Sequence, residues 1–189
     1  MKKWLVVMGL AAAMALPALA DTTTWQIDPN HANAQFFVKH LGISTVQGEF
    51  TKVTGTVTID NSDISKSTVD VTIPTDTVFT RVPMRDNDLK SEHFLDVAQY
   101  PDITFKSTSI SKTGDDTYDV NGDLTIRGVT KPVTLKVSDL SKPIQAMGGW
   151  REGASATLTI NRQDFGVAAD PGMVGNEVRI LIDIEMTHK

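Results

Sequence analysis

The sequence predicts an all-β fold closed as a barrel of about eight strands, on three observations. First, beyond residue 20 apolar residues alternate with Thr, Asp and Lys. The clearest runs are Thr54-Gly55-Thr56-Val57-Thr58-Ile59, Thr68-Val69-Asp70-Val71-Thr72-Ile73 and Thr157-Leu158-Thr159-Ile160. A two-residue period puts Val57 and Ile59 on one face and Thr56 and Thr58 on the other, as a half-buried strand requires. Second, no long helical period interrupts the succession. Third, about eight such stretches occur, the number that closes a barrel just wide enough to fill itself or to hold one small ligand.

In chain order, strands are expected over residues 33–41, 49–60, 67–74, 102–110, 117–127, 132–138, 153–162 and 176–187, with a short strand at Thr24–Ile27 against an edge. Asp60-Asn61-Ser62-Asp63, Thr113-Gly114-Asp115-Asp116 and Arg127-Gly128-Val129 carry the chemistry of tight reversals. Pro132 is expected to open its strand, where its missing N–H does least harm. Between Thr75 and Pro101 the alternation stops. There Met84–Leu95 reads as one or two helical turns, with Asp86 or Asp88 as N-cap and Leu89, Phe94 and Leu95 facing inward. Such an interval forms either a lid or plug over one barrel end or a plain structural cap.

The first twenty residues stand apart from the fold. Lys2-Lys3 is a positive n-region, Trp4 to Leu16 an apolar run ended by Pro17, and Ala18-Leu19-Ala20 a small-residue cleavage site before Asp21. The run is short for a membrane span, so a cleaved secretory signal peptide is expected rather than an uncleaved anchor. A simple signal of this kind points to a bacterial exported protein of the periplasm, with residues 21–189 as one domain. Removing Lys2 and Lys3 makes the formal charge of −5 more negative by two units. A mildly acidic chain without a basic run argues against nucleic acid and against anionic membrane surfaces. The chain has no cysteine, so its core must hold it without disulfides.

Alternate residues assigned inward form an almost pure hydrocarbon set: Phe36, Val38, Val57, Ile59, Val69, Val71, Ile73, Ile103, Phe105, Val120, Leu124, Ile126, Val133, Leu135, Leu158, Ile160, Val178, Ile180, Ile182 and Ile184. A filled core and a ligand cavity give the same pattern. Gly55, Gly122, Ala154 and Ala156 on these faces either leave space for a ligand chain or mark bends. His40 shares parity with Phe36 and Val38. It is either a polar group at the barrel mouth or a core histidine satisfied by a neighbour.

Tests for catalysis and metal binding fail on sequence. There is no Gly-x-Ser-x-Gly elbow and no thiol, and Ser155 has outward parity. The four histidines show no ligand spacing. Asp86-Asn87-Asp88 lacks the Gly and Glu that a calcium loop requires at later positions. No catalytic residue, metal site or cofactor is therefore expected.

Four segments in register carry a resemblance. Trp25-Gln26-Ile27-Asp28-Pro29-Asn30-His31 with Phe36-Phe37-Val38-Lys39-His40-Leu41-Gly42 and Val46-Gln47-Gly48-Glu49-Phe50 resembles the opening of the YceI-like family. Arg85-Asp86, Leu89-Lys90-Ser91, Phe94-Leu95-Asp96-Val97, Tyr100-Pro101 and Phe105-Lys106-Ser107 are similar to its middle motif. Gly122-Asp123-Leu124-Thr125-Ile126 with Gly128-Val129-Thr130-Lys131-Pro132-Val133 resembles its third motif, and Asn161-Arg162-Gln163-Asp164-Phe165-Gly166 its fourth. Ala32 stands where a Ser is common in that family, and Arg127 where a His or Asn often precedes Gly-Val-Thr.

The resemblance implies an extended, lipocalin-like antiparallel barrel that binds a polyisoprenoid or fatty-acyl amphiphile in the periplasm. It implies a carrier, not an enzyme, without stable membrane insertion, as a monomer or a homodimer. The expected ligand-binding residues are Phe36, Val38, His40, Val57, Val71, Ile73, Arg85, Phe94, Ile103, Phe105, Leu124, Ile126, Leu135, Leu158, Ile160, Ile180 and Ile182. His40 and Arg85 would serve the head group, Arg85 through its fork of donors. For Arg85 the alternative is a salt bridge with Asp86, Asp88 or Asp96. The competing function is a stress-related envelope protein with a filled barrel that acts through its surface.

Overall fold

In the computed structural model, which describes residues 21–189, the strands join in one antiparallel sheet. They are β1 (Thr22–His40), β2 (Ser44–Phe50), β3 (Thr54–Asp60), β4 (Thr68–Pro74), β5 (Val78–Phe79), β6 (Asp102–Lys112), β7 (Tyr118–Ile126), β8 (Val129–Ser138), β9 (Ile144–Ala146), β10 (Gly149–Asn161) and β11 (Val174–His188). One helix, α1 (Pro83–Lys90), lies between β5 and β6. The expected signal peptide falls outside the described residues.

Eight of these strands close the barrel: β1, β3, β4, β6, β7, β8, β10 and β11 in spatial order, with β11 returning to β1. The closing ladder pairs Ala34 with Ile182, Phe36 with Ile180 and Val38 with Val178. These are alternate residues of one parity, so every pair aims the same way and the two-residue period becomes an inside and an outside. Strands β2, β5 and β9 lie off the ring.

Two differences from the sequence reading come from β1. The expected strands at 24–27 and 33–41 are one strand, because Asp28-Pro29-Asn30-His31 is accommodated as a bulge instead of a break. Ile27 faces Met186 and Ala32 faces Ile184, five residues on β1 against two on β11. Conversely, the expected strand at 49–60 is two. β1 pairs with β3 through Thr22–Gln26 and with β2 through Ala34–His40 on the same side. The chain therefore jogs between Phe50 and Thr54, and Val53 turns fully into the core at the jog.

Pro132 does not open its strand. β8 begins at Val129, and Pro132 faces Asp123 within the β7 ladder. Its other flank is open, since β10 pairs with β8 only at Lys136–Ser138, so the proline occupies an edge. The β7–β8 reversal is a two-residue hairpin, Arg127 (φ 49°) and Gly128 (φ 73°), between paired Ile126 and Val129. Two left-handed residues are what the mirror-image hairpin turns require.

The interval from Thr75 to Pro101 covers one end of the barrel. Its two ends are tied together: the Thr75 N–H donates to the Pro101 carbonyl at 2.8 Å, and the buried Thr75 hydroxyl to the Tyr100 and Pro101 carbonyls. Neither Asp86 nor Asp88 caps α1. Val82 is the N-cap, without a side-chain bond. Asp86 instead accepts from the Thr80 N–H at 2.8 Å and from the Thr80 hydroxyl, stabilising the loop that leads into the helix.

Gly128 generates a prediction. An added Cβ would lie 2.7 Å from the Tyr100 ring in a left-handed conformation. Gly128→Ala is expected to lower stability by roughly 1–2 kcal/mol from backbone strain alone. The check is urea denaturation, with a lower midpoint at unchanged slope.

Candidate functional site: an apolar cavity inside the barrel

The interior is not filled. A cavity of about 290 Å³ runs through the barrel, close to the lower edge of the roughly 300–1,000 Å³ typical of small-molecule pockets. The burial of its walls agrees. Val57, Ile59, Val69, Val71, Ile160, Ile180, Ile182 and Ile184 all line it, yet each is only half-buried. Inward residues of a close-packed core would be buried outright.

Most of the expected binding residues meet at this cavity. Phe36, Val38, Val57, Val71, Ile73, Phe94, Ile103, Phe105, Leu124, Ile126, Leu135, Leu158, Ile160, Ile180 and Ile182 line it. Leu89, Phe94 and Leu95 reach it from the segment after β5, and Phe165 and Val167 from the turn after β10. Toward the other end its walls include Ile27, Ile64, Tyr118, Leu140 and Met186. The small residues divide in role. Ala154 and Ala156 leave room in the wall, whereas the space at Gly122 is taken by the Phe105 ring, 2.5 Å from where a Cβ would sit.

His40 and Arg85 do not line it. His40 is the last residue of β1, where β11 bulges: Val38 faces Val178 but His40 faces Val174, and of this pair only Val174 lines the cavity. Arg85 is committed elsewhere. Its Nε donates to the Thr80 hydroxyl and its Nη2 to the Thr80 carbonyl, both at 2.8 Å. The alternative partners Asp86, Asp88 and Asp96 do not hold it. Thr80 is also the partner of Asp86, so the arginine braces the loop before α1.

Arg162, unremarked in the sequence as a functional group, is the one cation in the cavity wall among the described residues and is buried. Its Nε donates to the Gly175 carbonyl, its Nη1 to Val167 and its Nη2 to Val174, at 2.7–2.9 Å. Burial pushes its pKa down while nearby Asp170 pushes it up. Three of its five N–H groups are bonded to these carbonyls, so it seals strand ends. Arg127 works similarly on the surface, donating to the Glu92 carbonyl at 2.7 Å and the Gly166 carbonyl at 2.9 Å. It ties the β7–β8 turn to both segments that cover this end.

Outside the wall, the β1 bulge brings Asp28 and His31 to Glu185, with ligand atoms within 4.8 Å of one another. Arg151 already occupies the centre: its Nη1 donates to Asp28 Oδ2 at 3.0 Å and to Glu185 Oε1 at 2.5 Å. The cluster therefore carries its own counter-charge. The Asn30 N–H, His31 and Arg151 together hold the Asp28 carboxyl down at about 2. Only the registers of three strands bring these residues together, so sequence spacing gave no sign of them.

Residues 25–186 match the YceI-like domain family. The chain is 40% identical over 187 residues to protein YceI of Escherichia coli O17:K52:H18, covering 98% of this chain and 97% of that one. Among solved structures, BcnA of Burkholderia cenocepacia is similar at a TM-score of 0.74 and 24% identity, over 84% of this chain and 98% of that chain. A polyisoprenoid-binding domain from Saccharophagus degradans, implicated in plant cell wall breakdown, gives 0.67 at 15% identity, over 88% and 99%. These last two likenesses are of fold.

Two predictions follow from the polar groups. Arg85→Ala is expected to lower the melting temperature, measured by differential scanning calorimetry; an unchanged melting temperature would contradict its role as a brace for Thr80. For Asp28, a folded pKa of about 2 against the ordinary 3.8 means stability present above 3.8 and lost as pH falls through 2. Asp28→Asn is therefore expected to be less stable than the parent at pH 5, with the gap closing between pH 4 and 2 in acid titrations followed by circular dichroism.

Proposed function

The chain belongs to the YceI-like family, and on that premise we propose that it is a periplasmic binding protein holding a polyisoprenoid or other long-chain amphiphile inside its barrel. In this reading residues 1–20 are the cleaved leader and residues 21–189 the mature lipid-binding domain. The unfilled apolar cavity carries the proposal. The polyisoprenoid-binding domain of similar fold supports it as an analogy of architecture.

Hydrocarbon burial is sufficient to drive such binding. About ten buried carbons would gain roughly 8 kcal/mol at about 0.8 kcal/mol per methylene. Before the costs of association that corresponds to a dissociation constant near the micromolar range. A wall of Val, Ile, Leu and Phe selects for width and length, with little discrimination between chains one methylene apart. No nucleophile–base pair is part of this reading. The protein holds its ligand, and chemistry on the ligand belongs to other proteins.

Among the described residues no helix is long and apolar enough to cross a membrane.

Filling the cavity tests the proposal. Ala156 lines it between Val137 on β8 and Ile182 on β11. Ala156→Phe is expected to keep the β-sheet circular dichroism spectrum and to weaken prenol binding by roughly tenfold or more, equivalent to losing about two buried methylenes. Unchanged affinity in a folded variant would place the ligand outside the barrel.

A further inference from the structure

β8 and β10 are the most sparsely laddered neighbours in the barrel wall. They share three residue pairs, Lys136–Ser138 against Ser155–Thr157. β10 is not laddered on that side again until β9 meets it at Arg151. Between these, one loop residue bridges the gap. The Ser141 N–H donates to the Gly153 carbonyl and the Gly153 N–H to the Ser141 hydroxyl, each at 2.9 Å. Outside this stretch lies a groove of about 490 Å³, and Ala154, Ser155 and Ile184 line both the groove and the interior cavity.

Glu152 stands in that groove. It continues the inward parity of Ala154, Ala156, Leu158 and Ile160 and faces Met186 across the ladder. Only 6% of it is exposed. No hydrogen bond to its carboxylate occurs among the described residues, and since no buried side-chain oxygen there lacks a partner, its oxygens keep contact with solvent, on the groove side. Burial raises its pKa, with no compensating cation beside it. Arg151, the next residue, points to the other face and is bound to Asp28 and Glu185. A largely buried carboxylate that keeps only solvent as its partner can exchange that water for a donor on a ligand.

We propose that this groove is a head-group site for an alcohol or amine, the donor-bearing, non-anionic end of an amphiphile whose chain lies in the barrel. An O–H or N–H brought to Glu152 makes a charge-assisted bond away from bulk water. A phosphate would meet Asp139, Glu152, Asp183 and Glu185, with Lys142 and the already engaged His31 and Arg151 to offset them. The inference deepens the lipid-holding reading and rests on it.

The test uses three chain-matched probes, farnesol, farnesylamine and farnesyl phosphate, titrated by calorimetry into the delipidated protein and its Glu152→Gln variant. Both donor-bearing probes are expected to bind the parent protein roughly tenfold or more tighter than the phosphate, and Glu152→Gln to erase about tenfold of the amine-to-phosphate preference. The substitution removes a buried charge without changing shape, so its melting temperature should not fall. Equal affinities for the three head groups, or the same preference in both proteins, would overturn the head-group site and leave the lipid-holding reading standing. Failure of all three probes to bind would overturn both. The parent protein's preference order is a readout that does not depend on the variant folding.

Discussion

The ladder between β1 and β11 is the interaction on which the rest of the structure depends. It converts a strip of sheet into a ring, removes the two edges that an open sheet would expose, and fixes the parity of every strand at once. Once Phe36 faces Ile180, each strand must send its alternate residues to a shared interior. The interior then has no polar backbone to satisfy, because the ring satisfies it. What is left is a tube walled by hydrocarbon, with polar groups confined to its ends and the β8–β10 boundary.

The ends show how such a tube is finished. Strand termini leave carbonyls without ladder partners, and these must be satisfied where water is excluded. Arg162 and Arg127 do so at the α1 end, between them reaching carbonyls of Gly175, Val167, Val174, Gly166 and Glu92. An arginine suits this work because its planar fork carries several donors and remains charged even when buried. Along the barrel flank, Arg151 joins the β1 bulge to β11 through Asp28 and Glu185. Glu152 departs from this pattern, as does Asp96: among the described residues neither carboxylate has an arginine or a hydroxyl assigned to it.

Much of this was legible in the amino-acid order. Alternation such as Val57/Ile59 and Val71/Ile73 is a direct record of the pleat, and it located the barrel, its inward faces and most of the cavity walls. What the order did not reveal depended on register. The Asp28–His31 bulge, the jog at Val53 and the bulge opposite His40 each depend on a partner strand elsewhere in the chain. Arg85 was legible as a donor but not as a brace for Thr80. The void itself is invisible to pattern. A filled core and a cavity use the same residues and differ in whether facing side chains meet, as the half-burial of Ile180 and Ile182 shows they do not.

The central claim is that the space inside the barrel is there to be occupied by a lipid chain. Its most direct test is native mass spectrometry of the protein taken from a periplasmic extract without detergent, followed by solvent extraction. The account predicts a stoichiometric adduct that extracts as a prenyl or acyl chain. A bare mass, still bare after incubation with prenyl and fatty-acyl lipids, would contradict it and turn attention to the outer surface.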